Sequence, residues 1–281
     1  TLSSSSAASD VYKRQFLNLY TLLMGLDFHG FTALMMATSR KPLGKTITLG
    51  RQGIHGIQES IVNVLGSAAL DAGSEPFCEK LLEEHLGASS VDSIDMTSYE
   101  GATLTYDMNE PLPESLRAVY DSVVDLGTLE HIFDIRQALE NVSKLCKTGG
   151  QILHVLPSDN FSGHGFWQFS PELFFSLYSQ ENGYKDTEVW LADVSGESVW
   201  YKVLPLESGQ RVRLHTSSPT YVIARTVKAG ENLPRPKVNQ ADYELAWKDR
   251  LDPKVNQPVN RGPEVASQGF VRKIVNRVKK F

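Results

Sequence analysis

The sequence predicts an α/β fold built on an open, mostly parallel sheet, and three observations carry that prediction. First, Tyr120–Gly150 (YDSVVDLGTLEHIFDIRQALENVSKLCKTGG), continued by Gln151–Pro157 (QILHVLP), reads as strand, polar turn, helix and strand. Val123 and Val124 form a β-branched strand core, Ile135, Leu139, Val142 and Leu145–Cys146 recur at helical spacing, and Ile152, Leu153, Val155 and Leu156 open a second apolar run. Gly149-Gly150 marks the stop of that helix, since glycine enters the left-handed region without a Cβ clash. Second, Lys45–Gly50 (KTITLG) alternates and is β-branched, as a first strand should be. Third, Val91–Asp95 and Ala102–Asp107 are short strands that each end in an acid. Ligands of open parallel sheets sit at the carboxyl ends of strands, and Leu126–His131 occupies such an end.

At 281 residues, 41% hydrophobic and 22% charged, the chain has ample material for one large domain with appendages. Cys78 and Cys146 are too few for a disulfide framework or a thiolate zinc site, and the expected compartment is the reducing cytoplasm. The formal charge of −5 is unevenly spread: residues 229–281 hold 11 Lys and Arg against 6 Asp and Glu, so the other 228 residues carry −10. An acidic body argues against a nucleic-acid partner, whereas the basic end suits an anionic surface.

In chain order, Thr1–Gln15 (TLSSSSAASDVYKRQ) resembles a translated sequencing-adapter sequence of metagenomic gene predictions. It is read as a non-native scar, the alternative being a Ser-rich native terminus. Residues 16–44 are a helical segment, expected as two short helices meeting near Asp27-Phe28-His29-Gly30, and their apolar run falls short of the ~20 residues of a membrane span. His29 there reads as a capping or structural residue. Gly50-Arg51-Gln52-Gly53-Ile54-His55-Gly56 is a flexible loop that opens a helix over Ile57–Leu70, and Pro76–Leu86 is an amphipathic helix with proline at its start. Asp95 and Asp107 have two readings. One is as acceptors for ribose hydroxyls and an adenine amino group; the other is as turn acids.

After the central unit, Ser158–Phe169 (SDNFSGHGFWQF) is a glycine-flanked aromatic loop leaving the carboxyl end of a central strand. Ser170-Pro171-Glu172 starts a helix, and Tyr184–Leu191 and Thr220–Lys228 read as the last two strands, with Trp190 and Tyr221 as core residues. Residues 229–281 form a linker, with PKVNQ at 236–240 and again at 253–257, a short helix bearing Tyr243 and Trp247, and a basic amphipathic helix over Phe270–Phe281. That last helix is expected to contact a partner protein, the body, or a membrane surface peripherally.

The order of elements over 45–228, and above all the Tyr120–Pro157 segment, resembles the class I S-adenosylmethionine-dependent methyltransferases. The segment GHGFWQFSPELF (163–174) resembles a bacterial branch of that superfamily. The resemblance implies a Rossmann-like seven-stranded, mostly parallel sheet with helices on both faces, and S-adenosyl-L-methionine as cofactor. It places Gly50, with its neighbours Arg51 and Gln52, against the methionine part, Asp95 on the ribose, Asp107 and Met108 on the adenine, and Asp125, Gly127 and Leu129 along the cofactor. The chain departs from the family in lacking an acid and a dense glycine run in the first-strand motif, and in the short gap from Asp95 to Asp107.

The implied activity is methyl transfer to a small-molecule or glycan-precursor acceptor, aligned by the protein and shielded from water. Where the acceptor must lose a proton, His131 and His164 are the candidate bases, each with a structural reading beside it. The missing acid motivates a second hypothesis, a binding or scaffold protein that kept the fold without catalysis. A nucleotide-sugar or dinucleotide enzyme is the third, against which stands the absence of a G-x-G-x-x-G motif and of a Tyr-x-x-x-Lys-type pair.

Overall fold

The computed structural model describes residues 25–195, 199–205, 212, 214–230, 237–251 and 264–265. The Ser-rich start, the rest of 16–24, the second PKVNQ copy and the expected Phe270–Phe281 helix lie outside the described residues.

One sheet organises the chain. Its strands are β1 (Gly44–Leu49), β2 (Ala88–Asp95), β3 (Leu104–Thr105), β4 (Tyr120–Asp125), β5 (Cys146–Asp159), β6 (Tyr184–Asp193), β7 (Trp200–Val203), β8 (Thr220–Lys228) and the two-residue β9 (Glu264–Val265). They lie in the order β3-β2-β1-β4-β5-β8-β6-β7-β9. The first five pair in parallel. β8 inserts antiparallel between β5 and β6, and β7 and β9 extend that edge antiparallel. The seven mostly parallel strands expected are therefore corrected to nine among the described residues, with the parallel pairing confined to one half of the sheet. β7 escapes sequence reading because only Trp200 and Val203 of its four residues are buried, too short a pattern for a period to register.

Side chains alternate across the sheet, so Val124 and Leu153 join one core while Val123 and Ile152 join the other. Helices cover both faces, as such a sheet requires. Helix α1 (Phe28–Arg40) has 13 residues and begins at the expected meeting point, the first of the two expected helices falling outside the described residues; it is capped by Asp27, whose Oδ1 accepts from Gly30 N at 2.7 Å. It buries Phe31, Leu34, Met35 and Met36 in the same core as Trp190, Trp200 and Tyr221. His29 has the structural role expected of it: Trp200 Nε1 donates to its Nδ1 at 3.1 Å.

Between β1 and β2 run α2 (Gln58–Leu65), α3 (Leu70–Gly73) and α4 (Glu79–His85). α4 begins three residues later than the proline suggested. Phe77 pairs instead with Gly53 in an antiparallel bridge, and Cys78 N donates to Gln52 O at 3.0 Å. α5 (Ile135–Leu145) is capped by Asp134, which accepts from Gln137 N at 3.1 Å. It ends at Leu145, before Gly149-Gly150, because Cys146 is already extended and opens β5. α6 (Pro171–Leu177) starts with Ser170 as cap and proline in its first turn, as its sequence requires. α7 (Ala241–Leu251) carries Tyr243 and Trp247 with ring centroids 6.1 Å apart. Among the described residues, no helix is long and apolar enough to cross a membrane.

Candidate functional site

The strand order reverses between β1 and β4. The chain leaves β1 towards β2 and β3 on one side, then returns through β4 to β5 on the other. Such a switch point leaves a crevice outside the carboxyl ends of the two strands, where ligands of open α/β sheets bind. The residues at that point are Leu49-Gly50-Arg51-Gln52 from β1 and Asp125-Leu126-Gly127-Thr128 from β4.

Gly50 is the narrowest place. Its φ is +68°, a region that side-chain-bearing residues rarely enter, and a Cβ there would sit 2.9 Å from Thr128 Oγ1 and 3.9 Å from Asp95 Oδ2. Thr128 bridges the switch point by donating its hydroxyl to Leu49 O at 2.7 Å. Gln52 folds its amide onto the same carbonyl and lies 3.3 Å from Thr128 Oγ1. Arg51 turns away: its Nε bonds Glu79 Oε1 at 2.7 Å, its Nη1 bonds Glu100 O at 2.7 Å, and its guanidinium stacks 4.1 Å over Phe77. The side chains of Arg51 and Gln52, expected at the cofactor, are thus both bonded within the fold, although the Gln52 amide still lies 3.3 Å from where a Gly50 Cβ would sit.

Asp95 ends β2 beside Gly50, half-buried, with Oδ1 accepting weakly from Thr97 N at 3.3 Å. Asp107 takes the second reading of its sequence position, that of a turn acid. Its Oδ1 accepts from Asn109 N at 2.9 Å and Asn109 Nδ2 at 2.7 Å, a self-closing turn, and those bonds hold its carboxyl below the usual range. Met108 is buried beside it. The whole 108–112 turn hangs from Asn141 of α5, which the sequence did not single out. Its Nδ2 donates to Met108 O at 3.1 Å and Glu110 O at 2.8 Å, and its Oδ1 accepts from Leu112 N at 3.0 Å.

Asp125, expected along the cofactor, is turned inward. It is fully buried, with Oδ1 accepting from Thr128 N at 3.0 Å and Oδ2 lying 2.9 Å from His154 Nδ1. His154 Nε2 lies 2.7 Å from Tyr178 OH. A carboxylate only accepts, so the His154 Nδ1–H donates to Asp125, and Tyr178 donates to Nε2. Burial pushes the Tyr178 hydroxyl well above its ordinary value, which keeps that proton in place. Leu129 is likewise buried in the core under α5, and Gly127, at φ +99°, turns the chain towards Thr128. Asp125 and Leu129 therefore support the crevice from beneath instead of lining it with their side chains.

The turn continues as Leu129-Glu130-His131, and the Gly-His-Gly loop after β5 folds onto it. Phe166 N donates to Glu130 O at 2.7 Å, and Trp167 Nε1 donates to Ile132 O at 2.8 Å. Gly165, at φ +70°, packs so close that a Cβ would lie 2.8 Å from Glu130 O. This contact brings His164 to His131, ring centroids 5.0 Å apart, with the buried Glu130 carboxylate between them. Burial raises the Glu130 carboxyl above its ordinary value. The two candidate histidines, 33 positions apart, are thus brought together by an acid whose position in the LEH turn was visible and whose burial was not.

Two cavities lie elsewhere. One of about 590 Å³ is lined by Leu139 of α5, Leu173 and Leu177 of α6, Trp167, Phe169 and Tyr184. Another, of about 360 Å³, lies between Ser158, Phe169, Glu172 and Thr220. Neither is lined by Gly50, Asp95 or Asp107; the crevice is favoured over both because polar groups from three strand ends converge there.

No family model and no curated protein matches the chain. Solved structures similar in fold include the trans-methyltransferase CalH in complex with SAH, at 13% identity and a TM-score of 0.39, over 72% of this chain. This chain spans 58% of the length of CalH. They also include the Haloferax volcanii putative methyltransferase crystallised with its Trm112 activator, at 12% identity and a TM-score of 0.41, over 72% of this chain and 91% of that one. A third is the Burkholderia thailandensis 1,6-didemethyltoxoflavin-N1-methyltransferase with S-adenosylhomocysteine, at 13% identity and a TM-score of 0.37, over 82% and 92%. Likeness at this level assigns no activity, and the functional reading rests on the residues of this chain.

Proposed function

We propose that the chain is an S-adenosylmethionine-dependent methyltransferase acting on a small-molecule or glycan-precursor acceptor. The observation that carries this reading is the cradle at Gly50. It lies at the topological switch point, a Cβ would fill it, and the Asp95 carboxylate stands beside it. These residues fit the cofactor: the cradle accepts its methionine part, Asp95 its ribose hydroxyls, and the Asp107–Met108 turn its adenine. The bound cofactor would supply a methyl group on a sulfonium centre. The protein's own part is to align an acceptor and exclude water, and the exposed Phe166 and Trp167 of the Gly-His-Gly loop are placed to cover it. In this reading His131 and His164 would border the acceptor.

A second reading, a methyltransferase fold kept for binding alone, is favoured by one observation. The first-strand stretch Thr46–Gln52 lacks the acid and the dense glycine run of the family it resembles, and the side chains of Arg51 and Gln52 are tied into the fold. Calorimetric titration with S-adenosylmethionine and S-adenosylhomocysteine separates the two. Binding of both is expected. Absence of heat for either at millimolar ligand, with folded protein, would overturn the methyltransferase reading and leave the second.

A further inference from the structure

Among the described residues, Glu130 is the one buried acid whose carboxylate oxygens lack a hydrogen-bond partner. Its side chain is fully buried, and neither carboxylate oxygen receives a directed hydrogen bond. A buried carboxylate without partners is among the costliest arrangements in a protein interior, so something is expected to meet it. Two imidazoles do so without hydrogen-bond alignment: His164 Nε2 lies 3.3 Å and His131 Nε2 3.7 Å from Oε1. His164 Nε2 is itself buried and unpartnered. One ligand atom from each of the three lies within 4.8 Å of the other two.

The two spacings from Oε1 are close to those of a coordination sphere. Ligand bonds of ~2.0–2.2 Å in tetrahedral geometry place neighbouring donor atoms roughly 3.3 Å apart. We infer that Glu130, His131 and His164 form a binding site for a divalent transition-metal cation of the zinc class. Two imidazole nitrogens and one carboxylate suit such a cation, whereas magnesium and calcium require several oxygen ligands. Three protein ligands leave a coordination position open, the mark of a reactive rather than a structural site. The backbone holds the set rigid, since Phe166 N and Trp167 N both donate to Glu130 O, at 2.7 and 3.3 Å. His131 is half-exposed and gives the open position a path to solvent. If the methyl-transfer reading holds, on which this last step rests, the open position takes an oxygen of the acceptor and acidifies its hydroxyl.

The test uses tag-free full chain, stripped with a chelator and titrated calorimetrically with Zn²⁺ and, separately, with Mg²⁺. Metal content after gel filtration is measured by mass spectrometry. One equivalent of Zn²⁺ and no Mg²⁺ is the expected result. Glu130→Gln and His164→Ala should each abolish binding, and His131→Ala should weaken it at least tenfold, with unchanged far-ultraviolet circular dichroism. Should Glu130→Gln fail to fold, the double variant His131→Ala/His164→Ala carries the test, because both side chains reach the surface. No Zn²⁺ taken up by folded wild type, or equal uptake by the double variant, overturns the site. Because no cofactor is added, a chain that binds zinc but not S-adenosylmethionine keeps this site and loses the proposed activity, and the converse result does the reverse.

Discussion

His154 Nδ1 lies 2.9 Å from Asp125 Oδ2 with both side chains sealed from solvent, and Tyr178 closes the chain at 2.7 Å from the other imidazole nitrogen. The pair ties β4 to β5 directly beneath the switch point, and Asp125 in turn fixes Thr128. Removing His154 leaves Oδ2 of a buried carboxylate without its partner, while Oδ1 keeps the Thr128 N–H. His154→Ala is therefore expected to destabilise the fold by about 3–5 kcal/mol. Tyr178→Phe, which orphans only a neutral nitrogen, should cost about 1–3 kcal/mol. Urea denaturation followed by circular dichroism checks the ranking; equal, small losses would show that the chain contributes little.

Gly50→Ala adds one methyl group 2.9 Å from Thr128 Oγ1 in a backbone conformation unfavourable to alanine. A loss of stability of about 1–2 kcal/mol is expected from the strain, together with at least tenfold weaker binding of S-adenosylhomocysteine. Thr128→Ser/Gly50→Ala, which keeps the hydroxyl, should recover little of the binding, since the methyl still occupies the cradle. Calorimetry on the folded variants reads both.

Asp95 and Asp107 are expected to differ. Among the described residues one Asp95 oxygen has no hydrogen-bond donor, and Asp95→Ala should weaken cofactor binding by about 1–3 kcal/mol, or roughly five- to 150-fold. Asp107 spends Oδ1 on its own turn. Asp107→Asn keeps that acceptor and should change affinity less than Asp95→Ala, whereas Asp107→Ala should release the turn and weaken binding more than the asparagine variant does. Titration of the three variants with one ligand preparation decides the order.

Acid should loosen the packing of α1 on the sheet. Burial lowers the pKa of His29, offset in part by the nearby Asp27 and Asp193, and its Nδ1 accepts the Trp200 indole proton only when neutral. The folded state therefore resists protonation that the unfolded state accepts. The stability this contributes is complete above about pH 6.5 and is lost as pH falls below that value towards the lowered folded pKa. Asp27, raised by burial, titrates with the opposite sign, and its share is lost as pH rises above its ordinary range. His29→Gln retains an acceptor for Trp200 without the titration. Its melting temperature should fall less than that of the wild type between pH 7 and 5.

Much of the framework was legible in sequence because it was written in strong periods. β1, β2, β4, β5, α5 and the capped start of α6 all follow from apolar spacing and cap chemistry. What escaped was set by tertiary partners. Pro76 promised a helix that Phe77 delays by pairing with Gly53, and β7 becomes a strand only through its register with β6. The site follows the same division. Gly50, Asp95 and the two histidines were visible as residue types at strand ends. Asp125 looked the same in sequence, yet His154, a residue on the next strand, draws it inward. Asn141 was invisible because nothing in a helix sequence says that one of its amides will carry the neighbouring turn.

The place of β8 has a consequence for how the molecule is made. It is the last long strand in sequence, yet it lies between β5 and β6, and every one of its nine residues is buried. Until residue 228 has emerged during synthesis, β5 and β6 each present a bare apolar edge with no neighbour to close it. The parallel half, which carries the crevice, can assemble earlier from contacts that precede residue 160. The newly made chain thus holds a shaped ligand site before it holds a finished sheet, and early occupancy of that site would shorten the interval in which two open edges can find the wrong partner.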